Sequence, residues 1–176
     1  SYSMRYVYKH SDVYEVLSPS FIELFKKFTG IKNPTKLVAQ TNPITIDGSV
    51  QSEKITNVDK KEKEIIYVGR LDFVQKRVYR VIDTWNNLEE RFPDWRLTIV
   101  GDGEDRENLE NHVSCLGLKR VSFEGFQNPL NYYKRASMLL LTSDFEGFGL
   151  VIIEGMSFGV VPFVYGSYPA VYDIID

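Results

Sequence analysis

From residue 65 onward the chain alternates short apolar runs with stripes of helical spacing. Ile65-Ile66-Tyr67-Val68 is β-branched and apolar and ends at Gly69. Val78, Val81, Ile82, Trp85, Leu88 and Phe92 then fall on one helical stripe, stopped by Pro93-Asp94. Leu97 to Val100 is the next run, closed by Gly101-Asp102-Gly103. A helix fits 105–116, with Leu109, Val113 and Leu116 inward and Gly117 as its C-cap. Val121 to Phe123 is a third run, and Pro129 opens a short helix to about Ala136. Met138 to Thr142 is a fourth run, residues 149–158 read as a buried helix, and Val160 to Val164 is a fifth strand. Strands apolar on both faces, alternating with helices, predict a doubly wound, Rossmann-like parallel sheet. Such sheets bind ligands at the carboxyl ends of their strands. The polar and glycine-rich segments 69–77, 101–104, 125–128 and 143–149 fall there.

The first third reads differently. Val13 to Leu17 predicts a strand, and Ser18-Pro19 caps a helix to about Lys27 with Phe21, Leu24, Phe25 and Phe28 apolar. Leu37 to Ala39 is a short strand, broken at Asn42-Pro43. Residues 46–63 are polar and read as a linker or mobile loop. Tyr2, Tyr6, Tyr8 and Tyr14 read as packing residues rather than a stacking platform.

Composition narrows the classes. The 176 residues suit one domain, or one domain and a fragment, and 43% hydrophobic with 26% charged residues excludes disorder throughout. A net charge of −3 argues against nucleic acid as a partner. The single cysteine, Cys115, excludes an internal disulfide framework and points to a reducing compartment; on its helix it reads as a small core residue. With two histidines, His10 and His112, no Cys/His zinc spacing can be written, and both histidines read as surface residues without a partner. The longest apolar runs are too short to span a bilayer, and no leader pattern is visible at the start.

Three segments offer chemistry. Gly101-Asp102-Gly103 begins like a dinucleotide fingerprint but meets Arg106 at the third glycine, so a tight turn and a ligand-lining role both stay open. Arg70 and Lys76 share one loop at a strand's carboxyl end; two such cations can neutralise a diphosphate, or simply be solvated. Ser143 to Leu150 carries Glu146, Gly147, Phe148 and Gly149 into an apolar helix, a corner suited to a phosphate or a sugar hydroxyl. Glu154 follows among apolar neighbours, where a carboxylate requires partners and can accept two ribose hydroxyls. Asp144 with Glu146 is the minor, metal-binding reading.

In order, Val68-Gly69-Arg70-Leu71 with Lys76, Val100 to Gly103, Phe123-Glu124-Gly125, and Glu146 to Met156 resemble the C-terminal domain of GT-B fold glycosyltransferases. The match is to the retaining family 4, which includes transferases of bacterial cell-surface polysaccharide and lipopolysaccharide and carries an E-x7-E pattern, here Glu146 and Glu154. The resemblance implies half of a GT-B fold truncated at both ends. Residues 1–45 would be the end of an N-terminal acceptor domain, 46–63 a linker, and 64–176 an incomplete nucleotide-sugar donor domain. It implies that Arg70 and Lys76 bind the donor diphosphate and that Glu146 holds a hydroxyl of the transferred sugar. Backbone N–H groups of Phe148, Gly149 and Leu150, next to Gly147, would face the sugar and phosphates. Glu154 would take the ribose, and Gly125 and Phe126 would lie near the base, with Gly69 and Gly101 close by. The donor would be a UDP-, GDP- or ADP-sugar used without a metal, and the acceptor a glycan or lipid-linked glycan bound through the other domain. The setting implied is cytoplasmic, at the inner membrane face, with peripheral membrane contact of the full-length protein. Arg77 departs from the family, which often has a small residue there, and reads either as a third phosphate-side cation or as a surface charge. The rival from another class is a non-catalytic sugar-nucleotide binding module.

Overall fold

Ile65 to Val68 can be buried on both faces only inside a sheet that is itself covered on both sides. The computed structural model, which describes residues 1–43 and 60–175, shows that arrangement. Strand β3 (Glu62–Val68) is central and its last five residues are buried. Glu62 and Lys63 therefore open a strand instead of closing a linker, while 46–59 of the expected linker lie outside the described residues.

The chain divides into two units. The larger comprises 60–145 and 150–165 of the described residues. Its elements after β3 are α3 (Tyr79–Asn86), β4 (Arg96–Val100), α4 (Arg106–Leu116) and β5 (Val121–Gly125). They continue with α5 (Leu130–Arg135), β6 (Ala136–Leu141), α6 (Leu150–Ser157) and β7 (Val161–Val164). The strands are parallel in the order β5-β4-β3-β6-β7, so the winding reverses beside β3. Ile66, Val68, Leu139, Tyr133, Phe158 and Val160 belong to the core cluster that joins β3 and β6 to α5 and the segment after α6.

Three side chains depart from the predicted stripes. Phe92 and Leu116 are exposed, and Val113 is only half-buried. The segment after α3 turns Glu89 inward instead of Phe92. Glu89 Oε1 accepts the N–H groups of Lys119 (2.9 Å) and Arg120 (2.7 Å) and the Trp85 indole (3.3 Å). Burial pushes this carboxyl up, but those donors outweigh it and hold it below the usual range. Helix α4 connects to the edge strand β5, so only Leu109 is fully buried on it, and Gly117 caps it in the left-handed region. Cys115 on the same helix is exposed, not a core residue. His112 is not partnerless: its Nε2 lies 2.7 Å from Asp83 Oδ1.

The smaller unit comprises 1–43, 146–149 and 166–175 of the described residues. It holds α1 (Tyr2–His10), β1 (Tyr14–Val16), α2 (Ser20–Thr29) and β2 (Leu37–Ala39), with β1 and β2 parallel. Helix α1 was not legible, because its turn of mixed aromatic and charged residues buries Tyr8 alone. Tyr8, Tyr14 and Phe25 form an aromatic cluster, with ring centroids 5.3 Å and 4.9 Å from Phe25. Tyr2, Tyr6 and Phe28 are exposed, against the packing roles expected of them. The cap of α2 also differs from expectation. Asp173 Oδ2 accepts the Ser20 N–H at 3.0 Å and Oδ1 accepts the Ser20 hydroxyl at 2.8 Å, while Ser18 donates to Asp173 as well. The Ser18 hydroxyl and the Ser20 donors hold that carboxyl below its usual range.

Candidate donor-binding site

The carboxyl ends of β3, β4 and β5 and the face of α6 enclose a cleft of about 630 Å3. Gly69 and Arg70 enter it after β3, Gly101 and Asp102 after β4, and Phe126 after β5; Val151 and Glu154 reach it from α6. This is the switch point where winding reverses, the place where open parallel sheets bind ligands.

The loop after β3 is built around Asp72. The buried carboxylate Oδ1 accepts the N–H groups of Gln75 (2.6 Å) and Lys76 (2.9 Å), and Oδ2 accepts Arg70 Nε at 3.0 Å. Burial pushes Asp72 up, but the Lys76 and Gln75 N–H groups and the Arg70 guanidinium outweigh it and hold the carboxyl below its usual range. Arg70 also donates to Gln75 Oε1 at 3.1 Å, and Gln75 Nε2 donates to the Phe145 carbonyl at 3.0 Å. Two partners thus orient an arginine whose side chain is still 63% exposed. A guanidinium held in this way keeps donors for an incoming anion with little ordering left to do. Lys76 stands half-buried on the same loop, anchored by Asp72 through its backbone.

The glycines after β3 and β4 serve close backbone approach. A Cβ on Gly101, at φ +142°, would lie 1.8 Å from the Gly69 carbonyl oxygen, and one on Gly103 would lie 2.2 Å from that of Leu71. The two loops touch through their main chains, and Gly101 both allows that contact and lines the cleft.

Arg77 belongs to a separate cluster. Its Nε donates to Asp144 Oδ2 at 2.6 Å, and Arg80 donates to Asp144 Oδ1 at 2.6 Å. Those two hydrogen bonds hold the Asp144 carboxyl below its usual range. The clamp keeps Arg77 at φ +51°, a conformation costly for a side-chain-bearing residue. The third cation is therefore neither a simple surface charge nor a cleft residue. Asp144 is occupied by two guanidiniums, which counts against the metal reading, and the described residues contain no cluster of three or more metal-capable groups.

Glu154 is half-buried and lines the cleft; its Oε2 accepts the Tyr133 hydroxyl at 2.9 Å. Phe126 is 89% exposed. In the other unit Glu146 and Phe148 are buried, Gly149 has φ +90°, and Gly147 lies beside Leu17. Leu150 opens α6 and is half-buried. The predicted residues Gly69, Arg70, Gly101, Phe126 and Glu154 thus meet in one cleft, and Lys76 shares the loop of Arg70. Asp72, Gln75 and Tyr133 were missed. Asp72 had a legible signal, an aspartate three and four residues before the N–H groups it caps. Tyr133 had none, because its partner lies 21 residues away.

Residues 50–176 match the family model described as "Glycosyl transferases group 1". The chain belongs to that family. An uncharacterized glycosyltransferase of Haemophilus influenzae is 33% identical over 142 residues, 80% of this chain and 38% of that protein. A lipopolysaccharide 1,6-galactosyltransferase of Salmonella typhimurium is 37% identical over 106 residues, 57% of this chain and 29% of that protein. Among solved structures, the lipopolysaccharide outer core galactosyltransferase WaaB in its apo form superposes with a TM-score of 0.72 at 28% identity, covering 96% of this chain and 47% of WaaB. Anabaena HepE, in complex with UDP and glucose, superposes with a TM-score of 0.76 at 19% identity over 99% of this chain and 50% of HepE, a likeness of fold. The five-stranded parallel sheet of this family member matches the Rossmann-like domains of the GT-B fold. The chain spans half the length, or less, of each of these relatives. Among the described residues no helix is long and apolar enough to cross a membrane.

Proposed function

We propose that this chain carries the donor site of a retaining family 4 glycosyltransferase that moves a sugar from a nucleotide-sugar to a glycan or lipid-linked acceptor of cell-surface polysaccharide. The observation that carries the reading is Arg70: exposed at a switch-point cleft, yet oriented by Asp72 and Gln75. The galactosyltransferase relative and the UDP-bound fold neighbour support it. Residues 1–45 then belong to the acceptor domain, and the donor domain begins with β3 at Glu62, two residues before the boundary expected from the sequence.

In this reading Arg70 and Lys76 bind the diphosphate and stabilise the negative charge that develops on it as the glycosidic bond breaks. Glu146 holds a hydroxyl of the transferred sugar, and N–H groups of Phe148, Gly149 and Leu150 face sugar and phosphate. Glu154 takes the ribose, Phe126 lies near the base, and Glu146 and Glu154 form the E-x7-E pair. The two cations and the N–H groups supply the charge neutralisation, so turnover is expected to persist in chelator.

The test is calorimetric titration with UDP, GDP and ADP, repeated on Arg70→Ala. One diphosphate is expected to bind and to weaken roughly tenfold to a hundredfold without the guanidinium, the scale of charge-assisted hydrogen bonds. In the full-length protein the same change should lower sugar transfer. Unchanged binding and turnover in Arg70→Ala would defeat the assignment; binding that is lost with no sugar transfer in the native protein would leave a binding module instead.

A further inference from the structure

Tyr133 is fully buried on α5, its ring stacked on Phe158 with centroids 6.3 Å apart and 16° between planes. Its hydroxyl donates to Glu154 Oε2, and among the described residues it is the donor that this carboxylate has. Burial first, and then the Glu154 charge and hydrogen bond, push the Tyr133 hydroxyl well above the usual tyrosine range. It therefore stays protonated and donates at every ordinary pH. A carboxylate offers about four lone-pair sites. With one taken from the core side, Glu154 keeps acceptor sites at the cleft that it lines together with Val151 and Gly69.

A glutamate side chain loses substantial rotamer freedom when it orders on a ligand, and a prior hydrogen bond removes part of that cost. Leu139, Phe158 and Val160 around Tyr133 are buried and apolar, so the core side offers Glu154 no substitute donor from them. Without the hydroxyl, the carboxylate would turn toward water in the cleft and meet a ligand in several orientations.

We propose that Tyr133 is a positioning residue: it aims Glu154 at the ribose diol of the bound nucleotide and so sets a preference for ribonucleotides over 2′-deoxyribonucleotides. This rests on reading the cleft as a nucleoside diphosphate site, and the experiment separates the two. The full chain is titrated with UDP, GDP, ADP and their 2′-deoxy forms, as native protein and as Tyr133→Phe, Glu154→Gln and Glu154→Asp. The native chain is expected to prefer the ribo form by roughly tenfold, the scale of one hydrogen bond to a charged group. Glu154→Gln should shrink that preference severalfold. Tyr133→Phe keeps the ring packing and should shrink it nearly as far while leaving affinity for the 2′-deoxy form unchanged. Glu154→Asp, which withdraws the carboxylate from the hydroxyl, tests the pair without touching the core and should behave likewise. A preference that survives Tyr133→Phe at the native level would overturn the inference whatever Glu154→Asp does, as would equal weakening of both nucleotide forms by Tyr133→Phe. If the native chain binds no diphosphate, the nucleotide reading itself fails and this role falls with it.

Discussion

Two glutamates of the same unit sit at opposite ends of its strands and behave as opposites. Glu64, near the amino end of β3, is completely buried and saturated. Its Oε1 accepts Thr98 Oγ1 (2.6 Å), Arg135 Nη2 (2.9 Å) and Arg96 Nε (3.2 Å), and its Oε2 accepts Arg135 Nε (2.7 Å). Four donors, three on Oε1 and one on Oε2, equal in number the roughly four acceptor sites a carboxylate offers. Glu154, beside the carboxyl ends, has one donor among the described residues and lines an open cleft. The same side chain is a structural clasp where its hydrogen bonds are complete and a candidate for binding where they are not. The arginines show the same contrast. Arg135 donates twice to Glu64, whereas Arg70 is oriented by two neighbours and still exposes most of its side chain.

Removing the saturated glutamate should have the largest effect. Glu64→Ala leaves Arg135 without its anion, Arg96 with Glu62 alone, and Thr98 without its acceptor. Both guanidiniums are more than a third exposed, so solvent relieves part of the loss. Unfolding in denaturant should show a destabilisation of about 3 kcal/mol, the low end for breaking a buried pair. Glu154→Ala should cost less, about 1 kcal/mol, since one hydrogen bond is lost from a half-buried group. Equal losses at the two positions would erase the distinction and make Glu154 another clasp.

The smallest expected effect sharpens the comparison through pH. Burial pushes the Glu64 carboxyl up, but the donors from Arg135, Thr98 and Arg96 outweigh it, so its folded value lies below the ordinary 4.5. The unfolded state then binds the proton more readily. The contribution of Glu64 is complete above the unfolded value and is lost as pH falls through the folded one. Native protein should lose stability steadily below about pH 4.5, and Glu64→Gln should show a shallower acid limb when melting temperature is followed from pH 6 to pH 3. An identical slope in both proteins would mean that Glu64 is not held in its charged form by these partners.

Much of the larger unit was legible because its signals are local. The run Ile65 to Val68, the stripe from Val78 to Trp85 and the cap at Gly117 each follow from the preferences of neighbouring residues. Arg70 and Glu154, which line the cleft, stood out in the sequence as charged groups at the ends of or among apolar elements. Phe92 and Leu116 were misread because periodicity marks a helical face but not whether another element covers it. Helix α1 was missed because a helix that buries one tyrosine leaves almost no stripe.

By itself the sequence determined the alternation of strand and helix, the parallel sheet this requires, and the segments that gather at the strands' carboxyl ends. Only the tertiary structure decided how each polar group is used. It gave Arg77 and Arg80 to Asp144, turned Arg70 outward on Asp72, closed Glu64 between two arginines and left Glu154 facing the cleft with Tyr133 behind it. Hydrophobic patterning acts through neighbours three or four residues apart, so it can be read along the chain. A hydrogen bond joins groups that folding brings together from 21, 34 or 71 residues away, and no local pattern records which donor will reach which carboxylate.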